Sequence, residues 1–225
     1  MKLIQRMKVG NPTKDQYAWS VSAKGGNQVT LGTLFYESGT VLSADITCED
    51  GAVQNFPLTV SNMVMGDMEG AITYEYVSGI YLPSASELEA GSWENAWQTV
   101  INSSGTITTN YGGETMTVEL DNSPITMNWQ VIGKDVSVTV SAGSFDNAVL
   151  VNQELIYQIN SLTLNTGDAP MEISTTMTFN SDYWFVPNIG LVKTEMKSSS
   201  VEMFGSEFPV EMTSGSELVS NNLLD

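Results

Sequence analysis

Strict alternation of apolar and polar residues, broken by short turn-forming clusters, constrains this chain more than any other feature. Met116, Val118 and Leu120 alternate with Thr115, Thr117 and Glu119. Met127, Trp129 and Val131 repeat the pattern, as do Val136, Val138 and Val140; an apolar strand from Phe145 to Val151 follows, with Leu155, Tyr157 and Ile159 in step, then Ile173, Met177 and Phe179. A period of two puts the apolar set on one face of an extended strand and the polar set on the other. Asp121-Asn122-Ser123-Pro124, Ala142-Gly143-Ser144 and Asn165-Thr166-Gly167-Asp168 lie between the runs, with residues that tolerate turn geometry. These intervals predict hairpins and five strands from Thr115 to Phe179. Their connections are too short for a crossover helix, so neighbours are antiparallel.

The N-terminal half carries the same signal less cleanly. Tyr17 to Ala23, Val29 to Glu37 and Val41 to Cys48 read as strands separated by Lys24-Gly25-Gly26-Asn27 and Glu37-Ser38-Gly39. Val53 to Leu58 and Ile72 to Ile80 follow as further strands. Val60 to Glu69, which includes Met63, Met65 and Met68, fits a short helix or a loop. Ser92 to Ile101 has Trp93, Trp97 and Ile101 at helical spacing, but Gly91 and Thr99 favour a strand, and a strand is expected. No repeat, charge block or proline-rich linker divides the chain, and Leu82-Pro83-Ser84-Ala85-Ser86 reads as a long loop inside one domain. The expected organisation is a basic N-terminal segment (1–24) leading into the first strand, a single antiparallel β domain (17–212) and a polar C-terminal tail (213–225). The fold class is all-β: a strongly curved antiparallel sheet or half-barrel of about ten or more strands with little helix.

Composition removes most familiar chemistry. There is no histidine, which excludes Ser-His-Asp and Cys-His pairs, histidine bases and histidine-ligated zinc. The single cysteine, Cys48, allows no intrachain disulfide and no thiolate cage. It precedes Glu49 and Asp50, which would hold it as a thiol, and it reads as a small core residue. The net charge is -18, yet the 26 acids are an ordinary share and the anomaly is the supply of only 8 bases. Five of the bases fall in the first 24 residues, so the rest of the chain carries -22 and would repel phosphate backbones and anionic headgroups. Nucleic acid is therefore not expected as a partner. No apolar run approaches the ~18 residues of a membrane-spanning helix. The start MKLIQRMK is basic but is followed by no apolar signal core, while Ser, Thr and Asn make up 64 of 225 residues. A mature periplasmic or extracellular domain is expected, with a cytoplasmic protein as the alternative.

No phosphate loop, Ser-x-x-Lys pair or calcium loop is present; Glu49-Asp50-Gly51 and the Asn165, Asp168, Glu172 set read as turns. Carboxylates are the one acid–base group in quantity. Glu87, Glu89 and Glu94 beside Trp93 and Trp97 could in principle serve a glycosidase, with the indoles as a sugar platform. No pair is singled out. The expectation is a protein without catalytic residues, metal or cofactor.

Four segments resemble a known family. ITCEDGAV (46–53), LEAGSW (88–93), VSVTVSAGSFDNAVLV (136–151) and YWFVPNIGLVKTEM (183–196) are similar, in order, to strand-and-turn elements of the TapB-like family of secreted bacterial β domains. Asn188 stands where that family usually has glycine and Ser141 where it has proline, and no export signal is expected in MKLIQRMK, a further departure from the family. The resemblance implies an extracytoplasmic fold similar to the half-barrels of the lipoprotein carriers LolA and LolB, with Gly143 and Gly190 as turn glycines and Phe145, Trp184 and Leu191 as strand anchors. It implies no particular activity.

A half-barrel leaves one apolar face in need of cover. Twelve methionines and five tryptophans supply adaptable and bulky apolar groups. The expectation is that the concave face binds an apolar small molecule, lipid or acyl chain near Trp93, Trp97, Trp129, Tyr183 and Phe185. The alternatives are a structural or protein-interaction surface module, with a filled core, and the carboxylate-based glycoside-active enzyme.

Overall fold

The computed structural model describes residues 2–9, 16–24, 28–35, 41–49, 52–55, 58–65, 68–80, 96–111, 114–165, 170–187, 189–211 and 215–221. Its strands are β1 (Lys2–Val9), β2 (Gln16–Lys24), β3 (Gln28–Phe35), β4 (Val41–Glu49), β5 (Ala52–Asn55), β6 (Leu58–Met65) and β7 (Met68–Gly79). They continue as β8 (Ala96–Tyr111), β9 (Glu114–Val140), β10 (Gly143–Asn165), β11 (Pro170–Val186), β12 (Gly190–Met203), β13 (Ser206–Pro209) and β14 (Gly215–Asn221). All pairings are antiparallel, and no helix occurs among the described residues.

The strands run β11-β10-β9-β8-β7-β6-β4-β3-β2-β1-β14-β12-β13, with β5 on β4 and a further pairing of β11 with β12. The sheet thus curves until its ends meet at β12, where the link to β14 spans only Lys193 to Glu195. It is a strongly curved sheet rather than a fully laced barrel. The N-terminal segment 2–9 is itself a strand, held between β2 and β14. Within the segment read as a tail, residues 215–221 form β14, whose Leu218 is fully buried. The region around Met63 is neither helix nor loop: β6 pairs with β7, and Met65 faces Met68 in register. Of Ser92 to Ile101, residues 96–101 lie in β8, while 92–95, like the expected loop at 82–86, lie outside the described residues.

The five strands expected from Thr115 to Phe179 are three. Asp121 to Pro124 is not a turn, because β9 runs through it and stays paired with β8 on both sides. Leu120 faces Gly105 and Ser123 faces Ser103, so β9 carries one residue more than β8 here, with Asn122 at φ 48°. That extra residue is a bulge, and it shifts the phase by one. Leu120 and Ile125, an odd number apart, consequently face the same side: Leu120 packs with Ile72 and Ile159, Ile125 with Ile101 and Met127, and Tyr74 and Tyr157 touch both groups. A second irregularity follows at Gly133 to Asp135, where Asp135 has φ 53°.

Beyond it, Val136, Val138 and Val140 join the opposite face. The β9–β10 hairpin continues past the end of β11, and its turn reaches β14, where the Ala142 N–H donates to the Leu218 carbonyl at 3.0 Å. Its inner residues Val138, Val140 and Ala148 pack against Trp184, Val186, Val192 and Leu218. One face of the sheet is thus covered here by the chain itself. Gly143 at φ +139° and Gly190 at φ +97° sit at the two turns that the resemblance assigned them.

Candidate functional site: an apolar cleft

The other face carries an open cleft of about 360 Å³. Strand register explains its make-up. Gln153 of β10 faces Trp129 of β9 on one side and Ser181 of β11 on the other. Two residues along, Leu155 lies between Met127 and Phe179, and two further on, Tyr157 lies between Ile125 and Met177. Ile101 continues the last row into β8, and Met196 continues the first into β12. At ~3.3 Å per residue, Gln153 to Tyr157 spans about 13 Å along the strand. Leu155, Met127, Phe179, Ile101, Ile125 and Met196 form the apolar lining, with polar groups towards each end.

At one end the Tyr183 hydroxyl donates to Gln153 Oε1 at 2.8 Å, and Ser181 adjoins it. At the other, the Tyr157 hydroxyl lies 2.8 Å from Ser103 Oγ, which itself donates to the Ser123 carbonyl at 3.1 Å. One hydroxyl has one proton, so Tyr157 is the donor of its pair. Burial, with the neighbouring Tyr157 adding to it, pushes the Tyr74 phenol up to about 12. Burial also raises Tyr157, against a smaller lowering by Ser103. Both shifts have the same physical cause, a poorly solvated environment that disfavours charge.

The aromatic residues expected at a pocket are partly gathered here. Trp97 and Trp129 stack at 5.9 Å with an interplanar angle of 7°, Tyr183 meets Trp129 edge-on at 5.3 Å, and Phe185 stacks on Tyr183 at 6.3 Å. Tyr183 lines the cleft itself, whereas Trp97, Trp129 and Phe185 back its end wall. Trp93 lies outside the described residues, as do Glu87, Glu89 and Glu94. The Trp129 indole donates to Thr99 Oγ1 at 3.1 Å, and that hydroxyl donates to the Ile80 carbonyl, fixing the ring. Gln153, Ser181, Tyr74, Tyr157 and Ser103 were not singled out from sequence. The in-phase positions 153, 155 and 157 and 179, 181 and 183 carried the available signal.

Trp184, between Tyr183 and Phe185, points to the opposite face. There Lys193 and Lys197 lie 4.7 and 5.8 Å from its ring centre, and Lys197 pairs with Asp182 at 3.4 Å and Glu195 at 3.0 Å. Among the described residues no group of three or more Cys, Asp or Glu is placed to hold a metal ion. None of the described helices could cross a membrane, since there are none.

No family model matches the chain, and no curated protein matches it. Two solved structures are similar in outline. One is a protein from Bacteroides fragilis described as exported and of YmcC-like fold: 15% identity, 98% of this chain and 94% of that one covered, TM-score 0.43. The other is a protein from Parabacteroides distasonis described as a lipoprotein: 12% identity, 98% and 95% covered, TM-score 0.35. Likeness at this level assigns no function to the chain.

Proposed function

We propose that this chain is a non-enzymatic, extracytoplasmic bacterial β domain that holds an apolar small molecule, lipid or acyl chain in the cleft between Gln153 and Tyr157. The observation that carries the proposal is the cleft itself. Its volume, about 360 Å³, falls within the ~300–1,000 Å³ of small-molecule sites, and its lining is apolar with a few polar groups at the ends. The motifs similar to those of TapB-like domains, and through them to lipoprotein carriers, support the extracytoplasmic placement by analogy of fold. N-Phenyl-1-naphthylamine, a neutral apolar dye, should bind saturably at one site with a gain in fluorescence. Leu155→Trp, which places an indole in the cleft, should abolish that gain while leaving the β signature in circular dichroism. Absence of binding, or equal binding by the variant, would overturn the proposal.

A protein-interaction module is the second reading, favoured by the β12–β13 hairpin. Phe204 at its turn is 77% exposed, and Phe208 is exposed beside it. Pull-down lost on Phe204→Ser, with dye binding absent in the native chain, would select that reading.

A further inference from the structure

Resting on the cleft's being a ligand site, we infer that its occupant is a neutral amphiphile: a single acyl or alkyl chain whose uncharged oxygen-bearing head accepts hydrogen bonds from Gln153 and Ser181.

Two uncommitted donors stand at one end of the cleft. Tyr183 donates to Gln153 Oε1, so the amide nitrogen with its two N–H groups is turned the other way. That nitrogen has no hydrogen bond among the described residues, nor does Ser181 Oγ. Both residues are buried, at 4% and 9% exposure. Yet the one side-chain polar atom among the described residues that is both sealed and unpartnered is Ser123 Oγ, so neither Gln153 Nε2 nor Ser181 Oγ is sealed. Both residues line the cleft, and what exposure they retain is towards it. A buried donor left without a partner is costly, and a ligand oxygen at this point would satisfy both.

The charge of the head follows from the rest of the lining. Among the described residues, none of the cleft wall is ionised at neutral pH. The nearby cations Lys193 and Lys197 are held over Trp184, on the opposite face, by Asp182 and Glu195. The chain as a whole carries -18. An anionic carboxylate or phosphate would lose its hydration here and meet no compensating charge among the described lining residues. The same poor solvation that raises the Tyr74 and Tyr157 phenols acts against it. Size sets the chain: at ~30 Å³ per water-sized group, about 360 Å³ takes roughly a dozen methylenes.

Displacement of bound N-phenyl-1-naphthylamine by 1-monolauroylglycerol and by laurate, each below its micelle concentration at pH 8, tests this. The glyceride should displace the dye at a concentration at least tenfold lower than laurate, and the gap should narrow at pH 5.5 as more of the laurate becomes protonated. Gln153→Leu and Ser181→Ala should each raise the glyceride concentration needed at least fivefold relative to the dye's own affinity. Laurate acting equally or better at pH 8, or both variants responding as the native chain does, would overturn the neutral-head inference while leaving the cleft a ligand site. If Gln153→Leu fails to fold, Ser181→Ala, which removes one hydroxyl, decides. Failure of the dye to bind at all would defeat the cleft reading, and this inference with it.

Discussion

Replacing Thr99 by valine should cost more stability than replacing it by serine, although valine keeps the shape and serine does not. Thr99 is 1% exposed, and its hydroxyl links the Trp129 indole N–H to the Ile80 carbonyl. Valine fills the same space but withdraws an acceptor from one buried group and a donor from another. Each such loss costs about 1–3 kcal/mol, so roughly 3 kcal/mol is expected in total. Serine preserves both bonds and removes one methyl, worth about 1 kcal/mol. For a chain of this size 1 kcal/mol moves the midpoint by ~2–4 °C, which places Thr99→Val about 6–12 °C below the native chain and Thr99→Ser about 2–4 °C below. Urea unfolding at matched m-value, with thermal melts beside it, reads the difference. Should valine equal or exceed serine, the hydroxyl bridge contributes nothing net, and the fixed position of Trp129 behind the cleft must come from packing alone.

Two further perturbations probe the frame around the site. At Gly105 (φ +147°) an added Cβ would lie 2.1 Å from the Ala71 carbonyl oxygen, so Gly105→Ala should destabilise by at least about 3 kcal/mol; Gly143→Ala, at φ +139° with nothing within 4 Å, should lose only about 1–2 kcal/mol in the same melts. For Tyr74, the phenol raised to about 12 stays protonated when the unfolded chain's, at 10.0, has ionised. Its contribution is complete below pH 10 and is lost as pH rises towards about 12, on the order of 3 kcal/mol at most. Urea midpoints should fall more steeply between pH 9.5 and 11 for the native chain than for Tyr74→Phe, and identical slopes would show that the phenol is solvated.

Alternation alone made the strands legible, including β2, β3, β4 and β7, because a two-residue period has one structural meaning when turns are short. It misled at Asp121 to Pro124. Asn, Asp and Pro mark hairpin turns, but the same residues serve a bulge, where a single Asn at positive φ carries the extra residue. A phase slip and a chain reversal look alike in sequence. They differ only in whether the next run pairs with the previous one or with a strand further away, and that is long-range register. Leu120 and Ile125 both pair with β8, which no local pattern states. The same limit applied to the site. Trp97, Trp129, Tyr183 and Phe185 were noticed for their bulk and do cluster, but bulk is what buries a ring, so most of them back the cleft rather than line it. Gln153 and Ser181 look like ordinary strand polars until register sets them side by side on an apolar face. The strand in residues 2–9 was obscured by its basic charge, and β14 by its polar composition; its Leu218 is fully buried.

Whether an apolar chain lies in the cleft can be read from the methionine methyl groups. Of the twelve methionines, Met127 and Met196 line the cleft, whereas Met203 ends β12 and does not. With ¹³C-methyl-methionine protein, assigned through Met127→Leu and Met196→Leu, titration with 1-monolauroylglycerol should shift the Met127 and Met196 signals together. Nuclear Overhauser contacts to the lauroyl methylenes should appear at both, with Met203 unmoved. Unchanged Met127 and Met196 signals under a ligand that binds elsewhere, or no binding up to the solubility limit, would show that the cleft holds no apolar chain.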